Sequence, residues 1–227
     1  MSLNHGPRTI IKDGLILHLD AANTKSYPGS GTVWKDLSGN GRDGTLINGV
    51  GYSTDNGGTL VFDGTDDYVD CGNDNILSPP YLTASVICKQ TSFSTRGHIM
   101  GRGAGNDGNF YMALETNRQM KLYMDYGSGW VVAGEFNNFP LNTWTQITVT
   151  HDGLVTKIYI NGVLEGSSNR VGTLRSWQSN PLLIGGSPSG ATNVATGNIS
   201  SAQMYSRALN QSEILNNFEI LRGRYSI

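Results

Sequence analysis

The sequence is short of charge, sulfur and histidine. Asp, Glu, Lys and Arg make up 15% of its 227 residues, against about 25% in an average soluble domain. The sixteen Lys and Arg are scattered and the net charge is −2, so no electrostatic footprint for nucleic acid or an anionic membrane is present. No apolar run approaches the ~18 residues that span a bilayer. The best N-terminal candidate, Ile10 to Leu19, is interrupted by Lys12 and Asp13, so no classical export signal is legible. Four histidines and two cysteines show no zinc spacing, and no G-x-S-x-G elbow accompanies His5, His18, His98 or His151. His18 is expected on a strand surface. Cys71 and Cys88 alternate with apolar residues (Val69; Leu82, Ala84 and Val86), which points to two buried thiols, with a disulfide left open should their strands be neighbours.

What the chain has is glycine, 30 residues of it, and period-two alternation. Leu15, Leu17 and Leu19 alternate with Ile16, His18 and Asp20, and Phe110, Met112 and Leu114 alternate with Tyr111, Ala113 and Glu115, as in half-buried strands. Similar segments run over Leu122 to Tyr126, Trp130 to Phe136, Trp144 to Thr150, Thr156 to Ile160, Leu182 to Ile184 and Ile199 to Tyr205. Asn161-Gly162 between apolar strands predicts a type I′ hairpin, which requires positive φ at both central residues. Many short strands without helical segments between them argue a sandwich or barrel of one domain. At the end, Asn210 followed by Glu213 reads as a capping box, and Ile214, Phe218 and Leu221 recur at helical spacing, which predicts a short helix ending at Gly223. The expected division is a tail over residues 1–13, a sandwich over 14–209, and a capping helix with its tail over 210–227.

Asp36 to Gly44 reads DLSGNGRDG. Asp36, Ser38, Asn40 and Gly41 fill the first slots of a calcium-loop pattern, but Ile47 stands where such a loop places its bidentate glutamate. The same residue types fold tight turns by bonding their own backbone. Both readings stand at this point.

Three segments in order, Gly14 to Leu46, Leu60 to Cys71 and Gly197 to Ile214, resemble the laminin-G-like branch of the concanavalin A-like lectin and glucanase superfamily. The succession HLDAAN, SYPGSG and DLSGNG is similar to modules carried by bacteriophage structural proteins and bacterial surface proteins. The resemblance implies an all-β fold, a two-sheet antiparallel jelly-roll sandwich (concanavalin A-like) with one short C-terminal helix, its first strand near Leu15 pairing with its last near Ile199. It also implies a rim calcium ion (Ca2+), for which the matching positions are Asp20, Asp36, Asn40 and Asp63, with Asp66 and Asp67 as helpers. For Asp63 and Asp66 a turn role is the plainer alternative. Extracellular or virion-surface location follows from the same likeness.

Glycosidases of this superfamily carry alternating acids on one strand, and the five glutamates here (Glu115, Glu135, Glu165, Glu213 and Glu219) offer no such motif. A cross-strand pair, Glu115 with Asp125, is the remaining acid couple for hydrolysis. Parity places Tyr111, Lys121, Tyr123, Asp125 and Tyr159 on the polar side of their strands. Aromatic rings among donors and acceptors suit a saccharide, although tyrosine is also a common strand residue. Trp130 and Trp177 are the tryptophans most eligible for exposure. The expectation is therefore a non-catalytic module that binds carbohydrate or a host-surface glycan, with a glycoside hydrolase and a structural virion decoration protein, self-associating or bound to other virion proteins, as alternatives.

Overall fold

Alternating apolar residues close the chain into two facing antiparallel sheets in the computed structural model, which describes residues 9–104, 107–176, 179–187 and 193–227. Trp177 and the expected tail segment Met1 to Arg8 lie outside the described residues. The strands in chain order are β1 (Leu15–Asp20), β2 (Val33–Trp34), β3 (Gly44–Ile47), β4 (Gly51–Ser53), β5 (Thr59–Asp63), β6 (Tyr68–Asp70), β7 (Leu82–Gln90) and β8 (Gly97–Ala104). They continue as β9 (Asp107–Leu114), β10 (Met120–Asp125), β11 (Trp130–Phe136), β12 (Thr145–His151), β13 (Val155–Ile160), β14 (Val163–Asn169), β15 (Leu182–Ile184) and β16 (Thr196–Tyr205), followed by the helix α1 (Gln211–Leu221).

The first sheet runs β14-β13-β12-β7-β16-β5-β4, with β1 also on β16. The second runs β11-β10-β9-β8-β15-β6-β3-β2. The first strand does pair with the last: Leu15 lies opposite Tyr205 and Asp20 opposite Ser201. Asn161 and Gly162 have φ of 50° and 77° and join β13 to β14 with Ile160 opposite Val163, the hairpin that the sequence predicts. Between the sheets one apolar cluster includes Leu17, Phe62, Val86 and Ile147 from the first and Phe110, Met112, Leu122 and Ile184 from the second. Each such side chain contributes roughly 1.5–3 kcal/mol on leaving water. Cys71 and Cys88 join that cluster from opposite sheets as free thiols. Burial pushes the Cys88 thiol up to about 12 and raises that of Cys71 as well.

The outer face of the first sheet is covered. Asn210 and Glu213 form the reciprocal capping box, and Ile214 packs with Leu15, Tyr159, Tyr205 and Leu209. Leu221 and Tyr225 pack with Ile87 and Trp144. Residues of the expected tail join this cover, where Ile11 N donates to Asn217 Oδ1. The α-helix stops at Leu221, not at Gly223, and the chain continues as a 3₁₀ turn over Arg222–Arg224. Gly223 does not take the left-handed conformation that a glycine stop uses. The tighter turn instead delivers Arg224 to Asp20 and Tyr225 Oη to Ser200 Oγ. Among the described residues no helix lies on the second sheet's outer face, and none is long and apolar enough to cross a membrane.

Candidate functional site

On that open face, Tyr123 of β10 lies directly opposite Tyr111 of β9. Their rings stack with centroids 4.6 Å apart, and His98 of β8 stacks on the other face of Tyr111 at 4.5 Å. The three rings stand upright in a ladder across the sheet, turning edges and hydroxyls outward. Trp130 meets Tyr111 edge-on at 4.7 Å and 68°. Its six-membered ring rests against the bare Cα of Gly108, where a Cβ would sit 2.4 Å from two ring carbons. The indole thus lies along the sheet while its neighbours stand up from it.

A charge pair crowns the ladder. The Arg96 guanidinium lies 4.8 Å from the Tyr123 ring centre and 5.4 Å from that of Tyr111, and its Nε is 3.2 Å from Glu115 Oε1. Tyr123 Oη donates to Glu115 Oε1 at 3.0 Å, while Arg96 Nη2 donates to Tyr111 Oη at 3.3 Å. Burial, with the Glu115 carboxylate beside it, pushes the Tyr123 hydroxyl up to about 12. Burial, joined by the charge of Arg96, pushes His98 down to about 3, so the stacked imidazole is neutral at physiological pH.

The buried imidazole makes stability depend on pH. The unfolded chain protonates this ring near 6.5 and the folded chain only near 3, so the unfolded state gains protons first and stability falls as pH drops through that window. Between pH 7.5 and 5.0 His98 alone is expected to remove about 2 kcal/mol. Among the described residues its Nε2 has no hydrogen-bond partner, so His98→Phe keeps the stack and removes the titration. Urea unfolding at the two pH values should show a smaller acid loss for this variant; equal losses would remove His98 from the account.

Two of the expected binding residues are elsewhere. Asp125 is fully buried at the end of β10, where its Oδ1 accepts from Gly127 N at 2.7 Å and Gly129 N at 3.1 Å and its Oδ2 lies 3.5 Å from Arg175 Nη1. It folds the turn into β11 rather than facing a ligand. Tyr159 belongs to the first sheet and is buried under α1. Lys121 stays on the ladder's face, opposite Glu135 in register. The Glu115 and Asp125 couple does not form: Glu115 N bonds to Gln119 O at one end of the hairpin and Asp125 closes the other. Six residues along a strand separate their levels by about 20 Å at ~3.4 Å each, too far for paired glycosidase carboxylates.

The residues expected to hold calcium do not converge either. Asp36 Oδ1 accepts from the amides of His18 and Ser38, and Oδ2 accepts from Ser38 Oγ and Arg42 N. Asn40 Nδ2 donates to Leu15 O, and Leu37 N to His18 O. The DLSGNG segment is therefore a turn laid along the free edge of β1, pairing backbone groups that an edge strand leaves open. It also buries His18, which was expected on a surface. Asp20 is buried and both its oxygens accept from Arg224 Nη1, at 2.8 Å each. Asp63 is different: it, Asp66 and Asp67 bring carboxylate oxygens within 4.8 Å of one another. Burial raises the Asp67 carboxyl, and the charges of Asp63 and Asp66 raise it further.

Sequence reasoning missed Arg96 and His98 and weighed Glu115 only as a catalytic acid. The alternation through Tyr111, Ala113 and Glu115 already put Glu115 on the tyrosines' face, whereas Arg96 precedes a glycine-interrupted strand, GHIMGRGA, whose pattern gave no strand signal.

Residues 63–215, more than half of the chain, match the family profile described as concanavalin A-like lectin/glucanases superfamily. The chain belongs to this superfamily. The concanavalin A-like sandwich is also the fold of its structural relatives. It is similar to the receptor binding domain of a botulinum neurotoxin C/D mosaic serotype, with a TM-score of 0.72 at 18% identity over 92% of this chain and 52% of that one. It is similar to domain 4 of a GH43 extracellular arabinanase from Geobacillus stearothermophilus, solved with arabinotriose, with a TM-score of 0.69 at 20% identity over 89% of this chain and 97% of that one. Trypanosoma rangeli sialidase, in complex with sialic acid, gives a TM-score of 0.67 at 17% identity over 92% of this chain and 33% of that one. The chain thus spans about a third of the sialidase and half of the neurotoxin domain. At such identities the likeness is one of fold. No curated protein matches the chain.

Proposed function

We propose that this chain is a non-catalytic carbohydrate- or surface-binding module, displayed on the exterior of a virion or cell, which grips its ligand on the outer face of the second sheet. The observation that carries the reading is the ladder of His98, Tyr111 and Tyr123 with Trp130 lying beside it under the Arg96 and Glu115 pair. Sugar rings offer C–H faces to aromatic carbon and hydroxyls to paired donors and acceptors, and this surface supplies both. The arabinotriose held by domain 4 of the arabinanase, a unit whose length this chain nearly matches, supports the same class of ligand. Calcium assistance belongs to the reading through the Asp63, Asp66 and Asp67 loop, the one set of three carboxylates that comes together among the described residues.

The test is a glycan array probed in calcium and in chelator. Wild-type protein should retain at least one glycan, and Trp130→Ala and Tyr123→Ala should each weaken that retention about tenfold or more, the scale at which an anchor residue acts. A fall in melting temperature on chelation, abolished in Asp66→Asn, checks the calcium element. Absence of any glycan under both conditions would remove the reading.

A further inference from the structure

Opposite charges stand together at two places on the binding face. The Arg96 guanidinium is matched by Glu115 at 3.2 Å, and Lys121 stands opposite Glu135 on the neighbouring strand. Burial keeps His98 uncharged, and the tyrosine hydroxyls stay protonated. Resting on the carbohydrate reading above, we infer that the ligand is a neutral saccharide, recognised through its hydroxyls by the paired guanidinium and carboxylate, and that the face rejects acidic glycans.

The reason lies in what each partner of the pair has left to offer. Glu115 Oε1 already accepts from Tyr123 Oη, and Arg96 already donates to Tyr111 Oη, so the pair is held in place before a ligand arrives and little side-chain order is lost on binding. The remaining guanidinium N–H groups donate and the remaining carboxylate lone pairs accept. A sugar hydroxyl does both at once, and neighbouring hydroxyls on one ring meet a donor and an acceptor side by side. A carboxylate or sulfate can only accept. Brought to Arg96 it meets a charge already neutralised and the Glu115 oxygens beside it, where like-charge contact disfavours it. From Tyr111 through Tyr123 to the exposed Val132, the row crosses three adjacent strands, about 10 Å at ~4.8 Å per strand step, enough for more than one sugar ring.

Affinity electrophoresis tests this with neutral polymers (an arabinan, a galactan and a β-glucan) against polygalacturonate and a sulfated galactan, each at 50 and 500 mM NaCl. Wild-type protein should be retarded by a neutral polymer, at least tenfold more strongly than by either acidic one and with less than a twofold change between the two salt concentrations. Glu115→Gln leaves Arg96 unmatched, and should weaken neutral binding and create retardation by the acidic polymers that salt abolishes. Wild-type preference for an acidic polymer, lost in high salt, would overturn the inference while leaving saccharide binding intact. Retardation by none of the five polymers, with the protein folded, would remove both. Unchanged neutral binding in Glu115→Gln would show that the pair does not make the contact, and the inference would fall.

Discussion

Gly101→Ala is expected to lower stability by at least about 3 kcal/mol, and by roughly 6–12 °C in melting temperature for a domain of this size. A Cβ at that position would lie 2.2 Å from Tyr111 Cβ, 2.6 Å from Tyr111 Cα and 2.8 Å from Phe110 O. Two of these three are backbone atoms of the adjacent strand, so no side-chain rotation relieves the clash. Relief requires β8 and β9 to separate, and Met100 and Phe110 beside the contact are both fully buried in the core. The same movement would displace Tyr111, the centre of the ring ladder, so binding should fall with stability. Thermal unfolding and glycan retention measured on one preparation would check both. A variant within 1 kcal/mol of wild type would mean that the two strands are not held so close.

Arg224→Ala is expected to cost about 3 kcal/mol at pH 7. Asp20 is 2% exposed, and without Arg224 its carboxylate would keep, among the described residues, only the Ala22 amide, at 3.1 Å. The penalty is the desolvated, unmatched charge more than the lost attraction, and that distinguishes this pair from surface pairs such as Lys35 with Asp43, which contribute about 0–1 kcal/mol. Asp20→Asn in the Arg224→Ala background should therefore restore part of the loss, although Asp20→Asn alone destabilises the wild type. Urea unfolding of the four proteins gives the coupling; purely additive losses would show that the buried charge is not the cause.

Much of the architecture was legible because its signals are local. Asn161-Gly162 specifies a hairpin wherever it stands between two strands, and Asn210 with Glu213 specifies a helix start, since both act through backbone groups a few residues away. The alternation in Phe110 to Tyr126 fixed which residues leave the core, and it correctly put Tyr111, Lys121 and Tyr123 on one open face. Parity was right for Asp125 and Tyr159 as well, yet neither faces a ligand. Asp125 does point away from the core, into a turn of glycines that uses up its carboxylate. Tyr159 also points away from the core, but from the other sheet and under the helix.

The reading of Asp36 to Gly41 stopped for a related reason. A side-chain oxygen spaced to meet a cation is equally spaced to meet amides, and only the presence of the free β1 edge alongside decides between them.

The sequence by itself determined most of the strands, the Asn161-Gly162 turn, the capped start of the helix and, in the alternating strands, the side of the sheet on which a residue falls, because backbone geometry repeats every two residues in a strand and every 3.6 in a helix. Tertiary structure alone decided which sheet carries the exposed rings, which outer face the helix covers, and that a loop arginine, Arg96, meets Glu115 above two tyrosines. Those outcomes depend on contacts between segments far apart in the chain, and no local period encodes them.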